Sequence, residues 1–336
     1  MLFPTPIPIR FTALAAGLAL AAVCPAQQVR QQALGFVYDG AVAGIRPLWG
    51  VPGAAVVGDP VDLGADVSVI ATSPNQDFVL AVTGPTRIAG IWNNGAATVQ
   101  PLANIRAGAA QIVISPEGGS AAFYYSDTNL VQVVTGLPSA PVVSFEANLS
   151  SLMNPLNSLA VSDDGALLMA SESFVDGNAS PAVVVFRAAG VAARIATVGP
   201  ASAIAFLSNS HDALISSVSE AVLMRDAAAQ TSRIELATAA NSAGGVIATT
   251  DGTRAFFANP QSGAISIFSL KTPGAAPAIV NCDCVPTGIT RTAATYIYRL
   301  TGNSGAPVSL LDLSSSQPRM LVIPPVVKSV SSPDNQ

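Results

Sequence analysis

Apolar and polar positions along this chain fall into short runs separated by turn residues, and the runs recur in one arrangement. An apolar triplet, a Ser or Thr, a turn and a second apolar run read Ile112-Val113-Ile114-Ser115-Pro116-Glu117-Gly118. The same phrase returns as Leu159-Ala160-Val161-Ser162-Asp163-Asp164-Gly165 and as Val246-Ile247-Ala248-Thr249-Thr250-Asp251-Gly252. Weaker copies centre on Ser73, Ser208 and Arg291. The landmarks Ser73, Ser115, Ser162, Ser208, Thr249 and Arg291 lie 42, 47, 46, 41 and 42 residues apart. Runs this short with turns between them are strands. A period of about 40–45 residues made of short strands is the signature of β-propeller blades. The expected fold is all-β, a ring of four-stranded antiparallel blades, seven by preference with six or eight open.

Within one repeat the strands are predicted at 112–114, 121–124, 131–134 and 141–145. A second copy places them at 246–248, 255–258, 265–268 and 278–280. Ser115 to Val131 and Thr249 to Ile265 are both 16 apart, so the inner spacing repeats with the outer one. Turns such as Asn93-Asn94-Gly95, Asp164-Gly165 and Asp251-Gly252 supply what antiparallel hairpins need. The Ser or Thr has a structural use, because its hydroxyl can hydrogen-bond a turn amide.

On Ser115-Pro116-Glu117-Gly118 and Ser162-Asp163-Asp164-Gly165 the chain resembles the bacterial propeller repeats with an SPDG-type turn, of which YVTN repeats are the best-known group. The resemblance covers roughly residues 67–325. It implies an exported β-propeller and brings no enzymatic activity with it.

Ahead of the first landmark, segments 36–39, 45–49 and 54–57 read as strands of an incomplete first blade, to be closed by a strand from 322–330. Closure of this kind removes free sheet edges. Pro324-Pro325 interrupts that segment, and Pro cannot donate to a ladder. Residues 331–336 read as a polar, disordered tail.

Residues 1–26 have the layout of a secretory signal: Arg10, an apolar stretch from Phe11 to Val23, then Cys24-Pro25-Ala26. Leu20-Ala21-Ala22-Val23-Cys24 also approximates a lipobox, although Val23 and Pro25 fit it poorly. The domain plan is therefore a signal at 1–26, a propeller at 27–330 and the tail at 331–336. The expected location is periplasmic, extracellular or at the cell surface. Removal of Cys24 leaves Cys282 and Cys284 as a possible disulfide. In an extended strand they would stand about 6–7 Å apart, so bonding needs a local turn.

Half of the 336 residues are hydrophobic, mainly Ala and Val, and only 10% are charged. The net charge of -5 and the scattered basic residues argue against nucleic acid, which needs clustered cations. Beyond the N-terminus no apolar run reaches the ~18 residues of a membrane span.

Candidate chemistry is sparse. His211 is the one imidazole, at a hairpin turn equivalent to Asp164-Gly165, where a solvated side chain is expected. A Ser/His/Asp triad would have to be built around it. Asp163-Asp164 are expected to brace their bend. Asp59, Asp62 and Asp66, spaced three and four apart, offer a weak calcium pattern. Trp49 and Trp92 suit a carbohydrate platform but are expected between blades. Phe123, Tyr124, Phe256, Phe257, Tyr296 and Tyr298 are expected in second strands and in the core. Gly118-Gly119 and Gly244-Gly245 lack a phosphate-loop Lys. Asn148-Leu149-Ser150 and Asn178-Ala179-Ser180 match glycosylation acceptors.

These features predict a monomeric, non-catalytic module that binds a protein or a carbohydrate and uses no cofactor. Two enzyme readings stand beside it. One is a lactonase-like hydrolase with a channel site; the other, a quinone-dependent dehydrogenase, calls for more Trp and acidic residues. Fold alone does not choose among them. The side chains lining the central channel do: convergent carboxylates point to an enzyme, and Ala, Ser and Thr to a scaffold.

Overall fold

The structure, a computed structural model, describes residues 33–325 except 41, 153, 174–181, 238–242 and 303–306. The expected signal, the tail, Asn178 and residues 326–330 lie outside the described residues. The described chain forms seven antiparallel sheets, six of four strands and one of three, arranged as the blades of a β-propeller.

The first blade holds β1 (Ala33–Asp39), β2 (Gly44–Trp49) and β3 (Val56–Val57). The second holds β4 (Val67–Thr72), β5 (Phe78–Thr83), β6 (Ile88–Asn93) and β7 (Gln100–Pro101). The third holds β8 (Gln111–Ile114), β9 (Ser120–Tyr125), β10 (Leu130–Thr135) and β11 (Val142–Asn148). The fourth holds β12 (Leu156–Val161), β13 (Leu168–Glu172), β14 (Ala182–Arg187) and β15 (Gly190–Ala196). The fifth holds β16 (Ala201–Phe206), β17 (Ala213–Ser217), β18 (Ala221–Arg225) and β19 (Ser232–Ala237). The sixth holds β20 (Gly245–Ala248), β21 (Arg254–Asn259), β22 (Ala264–Ser269) and β23 (Ala278–Asn281). The seventh holds β24 (Gly288–Arg291), β25 (Ile297–Thr301), β26 (Val308–Asp312) and β27 (Arg319–Ile323). Among the described residues no helix is long and apolar enough to cross a membrane.

The second and third strands of a blade are apolar on both faces because each blade is covered on both sides. Seven hydrophobic clusters result, and each is shared by two neighbouring blades. Phe206 and Met169 meet between the fourth and fifth blades. Leu48 and Leu310 meet between the first and seventh, and Phe36 and Val79 between the first and second. These last two clusters close the ring. Trp92 is buried, meets Phe36 edge-on at 5.4 Å and donates from Nε1 to the Ala96 carbonyl, so it packs between blades. Of the six aromatics expected in the core, Phe123, Phe256, Phe257 and Tyr298 are deeply buried. Tyr296 is not: it precedes β25 and is 52% exposed. Tyr124 is half-buried, with its hydroxyl on Asn129 Oδ1.

The turn after each innermost strand is closed by one backbone bond. It runs from the amides of Ser73, Ser115, Ser162, Leu207, Thr249 and Thr292 to the carbonyls of Phe78, Ser120, Leu167, Asp212, Arg254 and Ile297. Ser208 and Arg291 therefore miss the repeat landmark by one residue. Leu207 and Thr292 hold it, an apolar residue and a polar one that a search for Ser and Thr at fixed spacing passes over. Where the hydroxyl is present it accepts from turn amides, as Ser73 Oγ does from Asp77 and Phe78 and Ser162 Oγ from Leu167.

The expected closing strand at 322–330 is corrected at its described start, while 326–330 lie outside the described residues. Val322 and Ile323 belong to β27, which pairs with β26 over five residue pairs as the outer strand of the seventh blade. Pro324-Pro325 follow, and the missing N–H groups end the ladder. The first blade thus has three described strands. Alignment of its β1–β2 hairpin with β5–β6 identifies the innermost strand as the one not found among the described residues.

Candidate functional site

The last residues of six innermost strands surround a central cavity of about 380 Å³. One position of each strand contributes the ring Ala71, Val113, Ala160, Ala205, Ile247 and Thr290. Among the described lining residues none is acidic, and two are arginines, Arg291 and Arg299.

Arg291 ends β24 and has only 8% of its side chain exposed. Its Nη1 donates to the Pro116 carbonyl at 2.8 Å and to Glu117 Oε1 at 3.0 Å, both in the third blade. Its Nη2 donates to Ser208 Oγ at 2.7 Å and to the Ala248 carbonyl at 3.4 Å, in the fifth and sixth blades. A side chain from the seventh blade that reaches the third has crossed the ring, so the guanidinium sits near the axis where the turns converge. Arg291 Nε is buried without a partner.

Gln76, in the first turn of the second blade, stands at the inner edge of the first blade, beside which no strand is described. Its Oε1 accepts from Phe36 N at 2.8 Å, and its Nε2 donates to the carbonyls of Ser73 and Arg291. Gly35 makes room for it: at φ +144 it has no side chain, and a Cβ there would lie 2.7 Å from Gln76 Oε1. Arg299, on β25, donates from Nη1 to the Phe36 carbonyl at 3.0 Å and from Nε to Thr290 Oγ1 at 3.2 Å. An amide and a guanidinium therefore satisfy both polar groups that β1 turns inward at Phe36. Burial pulls the Arg299 pKa down to about 10.

Asp163 ties three turns together. Its Oδ1 accepts from Glu117 N and its Oδ2 from Asn209 N, both at 2.7 Å. Asp164 braces its own bend through Ser162 Oγ at 2.6 Å and Ala166 N at 3.0 Å. A second, surface hollow is lined by Asp163, Asp164, Asn209, Ser210 and His211. Here His211 Nε2 lies 3.0 Å from Asp164 Oδ2, with 41% of its side chain exposed. Burial raises the Asp164 carboxyl, but the bonds from Ser162, Ala166 and His211 together hold it below the usual carboxylate range. Ser162 donates to Asp164 and Ser210 Oγ accepts from Asp212 N. The dyad therefore lacks the Ser-to-His bond that activates a nucleophile.

The other sequence candidates are dispersed. Asp59, Asp62 and Asp66 are exposed, with Asp62 Oδ1 accepting from Gly64 N. Among the described residues no group of three or more His, Cys, Asp or Glu is placed to hold a metal ion. Trp49 is only partly buried. Asn148 Oδ1 accepts from Ser150 N at the end of β11. Cys282 and Cys284 are joined as a disulfide with Cα atoms 5.1 Å apart, beyond the end of β23. Gln76 and Arg299 escaped the sequence reading, since no local pattern marks a side chain that will bond the edge of a strand in another blade.

No known family model and no curated protein matches this chain. Solved structures do. The Kuenenia stuttgartiensis hydrazine synthase aligns with a TM-score of 0.56 at 11% identity, over 81% of this chain and 90% of that one. The WD40 repeats of RRP9 align with a TM-score of 0.56 at 12% identity, over 78% and 82%. At these identities the likeness is one of fold: the chain is a seven-bladed β-propeller.

Proposed function

We propose that this chain is an exported, non-catalytic propeller of the bacterial SPDG-turn type that works as a monomeric binding or scaffold module for a protein or glycan. The observation that carries the reading is the stitching of the turns at one face. Arg291, Gln76 and Asp163 tie all seven blades together there, which yields a rigid disc whose loops are held ready for recognition at little ordering cost. Aliphatic channel walls agree with a scaffold by the criterion set above. Residues 1–26 support export.

The full chain, purified and applied to a glycan array, should bind a defined glycan, or should form a stoichiometric complex with one exported protein. It should turn over no member of a sugar-lactone panel. The contact of His211 with Asp164 favours the hydrolase as second reading. Lactone turnover that disappears in His211→Ala would establish it and end the scaffold reading. Fractionation of the source cells and N-terminal sequencing near Gln27 test export.

A further inference from the structure

We propose that the central cavity is a binding site for a small organic anion, an aliphatic body bearing one carboxylate, with Arg299 as the carboxylate's partner. Arg299 lines the cavity and comes from a second strand, and its guanidinium reaches the edge of β1, beside which no inner strand is described. Its Nε and Nη1 are engaged, but Nη2 has no partner among the described residues, and no described carboxylate pairs with the side chain. The other cation, Arg291, is balanced by Glu117. Among the described residues the lining therefore carries one uncompensated positive charge, in a cavity whose ring of strand positions is mostly aliphatic.

Charges taken out of water are as a rule paired, since an unpaired one loses several kcal/mol of solvation. A guanidinium with a free edge is built to receive a carboxylate. The remaining wall selects the rest of the ligand. Ala71, Val113, Ala160, Ala205 and Ile247 offer contact to an aliphatic chain and no hydrogen bonds from their side chains. A volume of about 380 Å³ falls within the range of small-molecule sites.

Calorimetry of the full chain with sodium octanoate tests this, with 1-octanol and octylamine as probes of the same length. Octanoate should bind one per chain, and the alcohol and amine at least tenfold more weakly. Arg299→Gln should weaken octanoate at least tenfold and leave octanol unchanged. Equal binding of octanoate and octanol, or octanoate binding unaltered by Arg299→Gln, overturns the proposal. If Arg299→Gln does not fold, bromide soaked into crystals of the unaltered chain gives the second reading. An anomalous peak within contact of Arg299 supports the anion site, and its absence refutes it. A chain lacking residues 331–336 separates an external ligand from the protein's own terminus. Octanoate bound only by that shortened chain would make the terminus the occupant and overturn the proposal.

Discussion

Gln76→Asn tests whether one side chain does the work of a strand. The shorter side chain withdraws its amide by about one C–C bond, ~1.5 Å. The contact to Phe36 N, now 2.8 Å, would open to roughly 4.3 Å, beyond hydrogen-bond reach. The Arg291 carbonyl would be lost to the amide in the same way. Ser73 O keeps the Gln76 backbone amide as donor, so two buried groups are orphaned rather than three. At about 1–3 kcal/mol each the loss is about 2–6 kcal/mol. The backbone does not add to it, because Gln76 sits at φ +60, which Asn tolerates better than Gln. Urea unfolding followed by circular dichroism should register this loss. Hydrogen exchange should quicken in β1, at Phe36 above all. Asn75→Ala in the same turn removes one exposed contact, to the Glu117 carbonyl, and should stay within about 0.5 kcal/mol. If Gln76→Asn also stays within that limit, with β1 exchange unchanged, the side chain does not secure the first blade and the reasoning fails.

Three further outcomes are expected. Gly165→Ala should cost about 2–4 kcal/mol in urea melts, because φ is +63 and the new methyl would collide with Thr135 Cγ2; Gly252→Ala, at φ +62 with open space around it, should cost only about 1. Asp312 is buried, and although burial raises its carboxyl, the bonds from Ser314 and Arg319 outweigh that and hold it low. A depressed carboxylate stabilises above its unfolded pKa of about 3.9, so the intact protein should lose stability as pH falls below about 4, and Asp312→Asn should flatten that limb of a pH-stability curve. Cys282→Ser should lower stability by about 1–2 kcal/mol relative to the oxidised unaltered chain, the small entropic effect of a three-residue loop, and should match the reduced unaltered chain.

Strand positions were legible because a strand buried on both faces must be a continuous apolar run. Predicted segments 121–124 and 255–258 lie within Ser120–Tyr125 and Arg254–Asn259. Repeat phase was less legible, since a turn tolerates Leu207 where a hydroxyl is usual, provided the backbone bond to Asp212 forms. The start of the closing segment, at Val322 and Ile323, was misread for a more general reason. Val322 and Ile323 suit any strand, and the local pattern does not say which neighbour they join. The site was the least legible part. The role of Arg299 comes from its bond to Phe36, 263 positions away at the edge of β1, a relation that no local spacing encodes.

The sharing of each hydrophobic cluster by two blades has a mechanical consequence. A linear array of repeats frays from its ends, one interface at a time. Here seven clusters join seven blades in a circle, so releasing any blade means breaking two clusters at once, and no blade is terminal. Under a pulling force the expected weak place is then the first blade, where among the described residues the inner edge is held by an amide and a guanidinium and by no ladder. Rupture should start there and run outward both ways, a zipper with a single slider and two directions of travel.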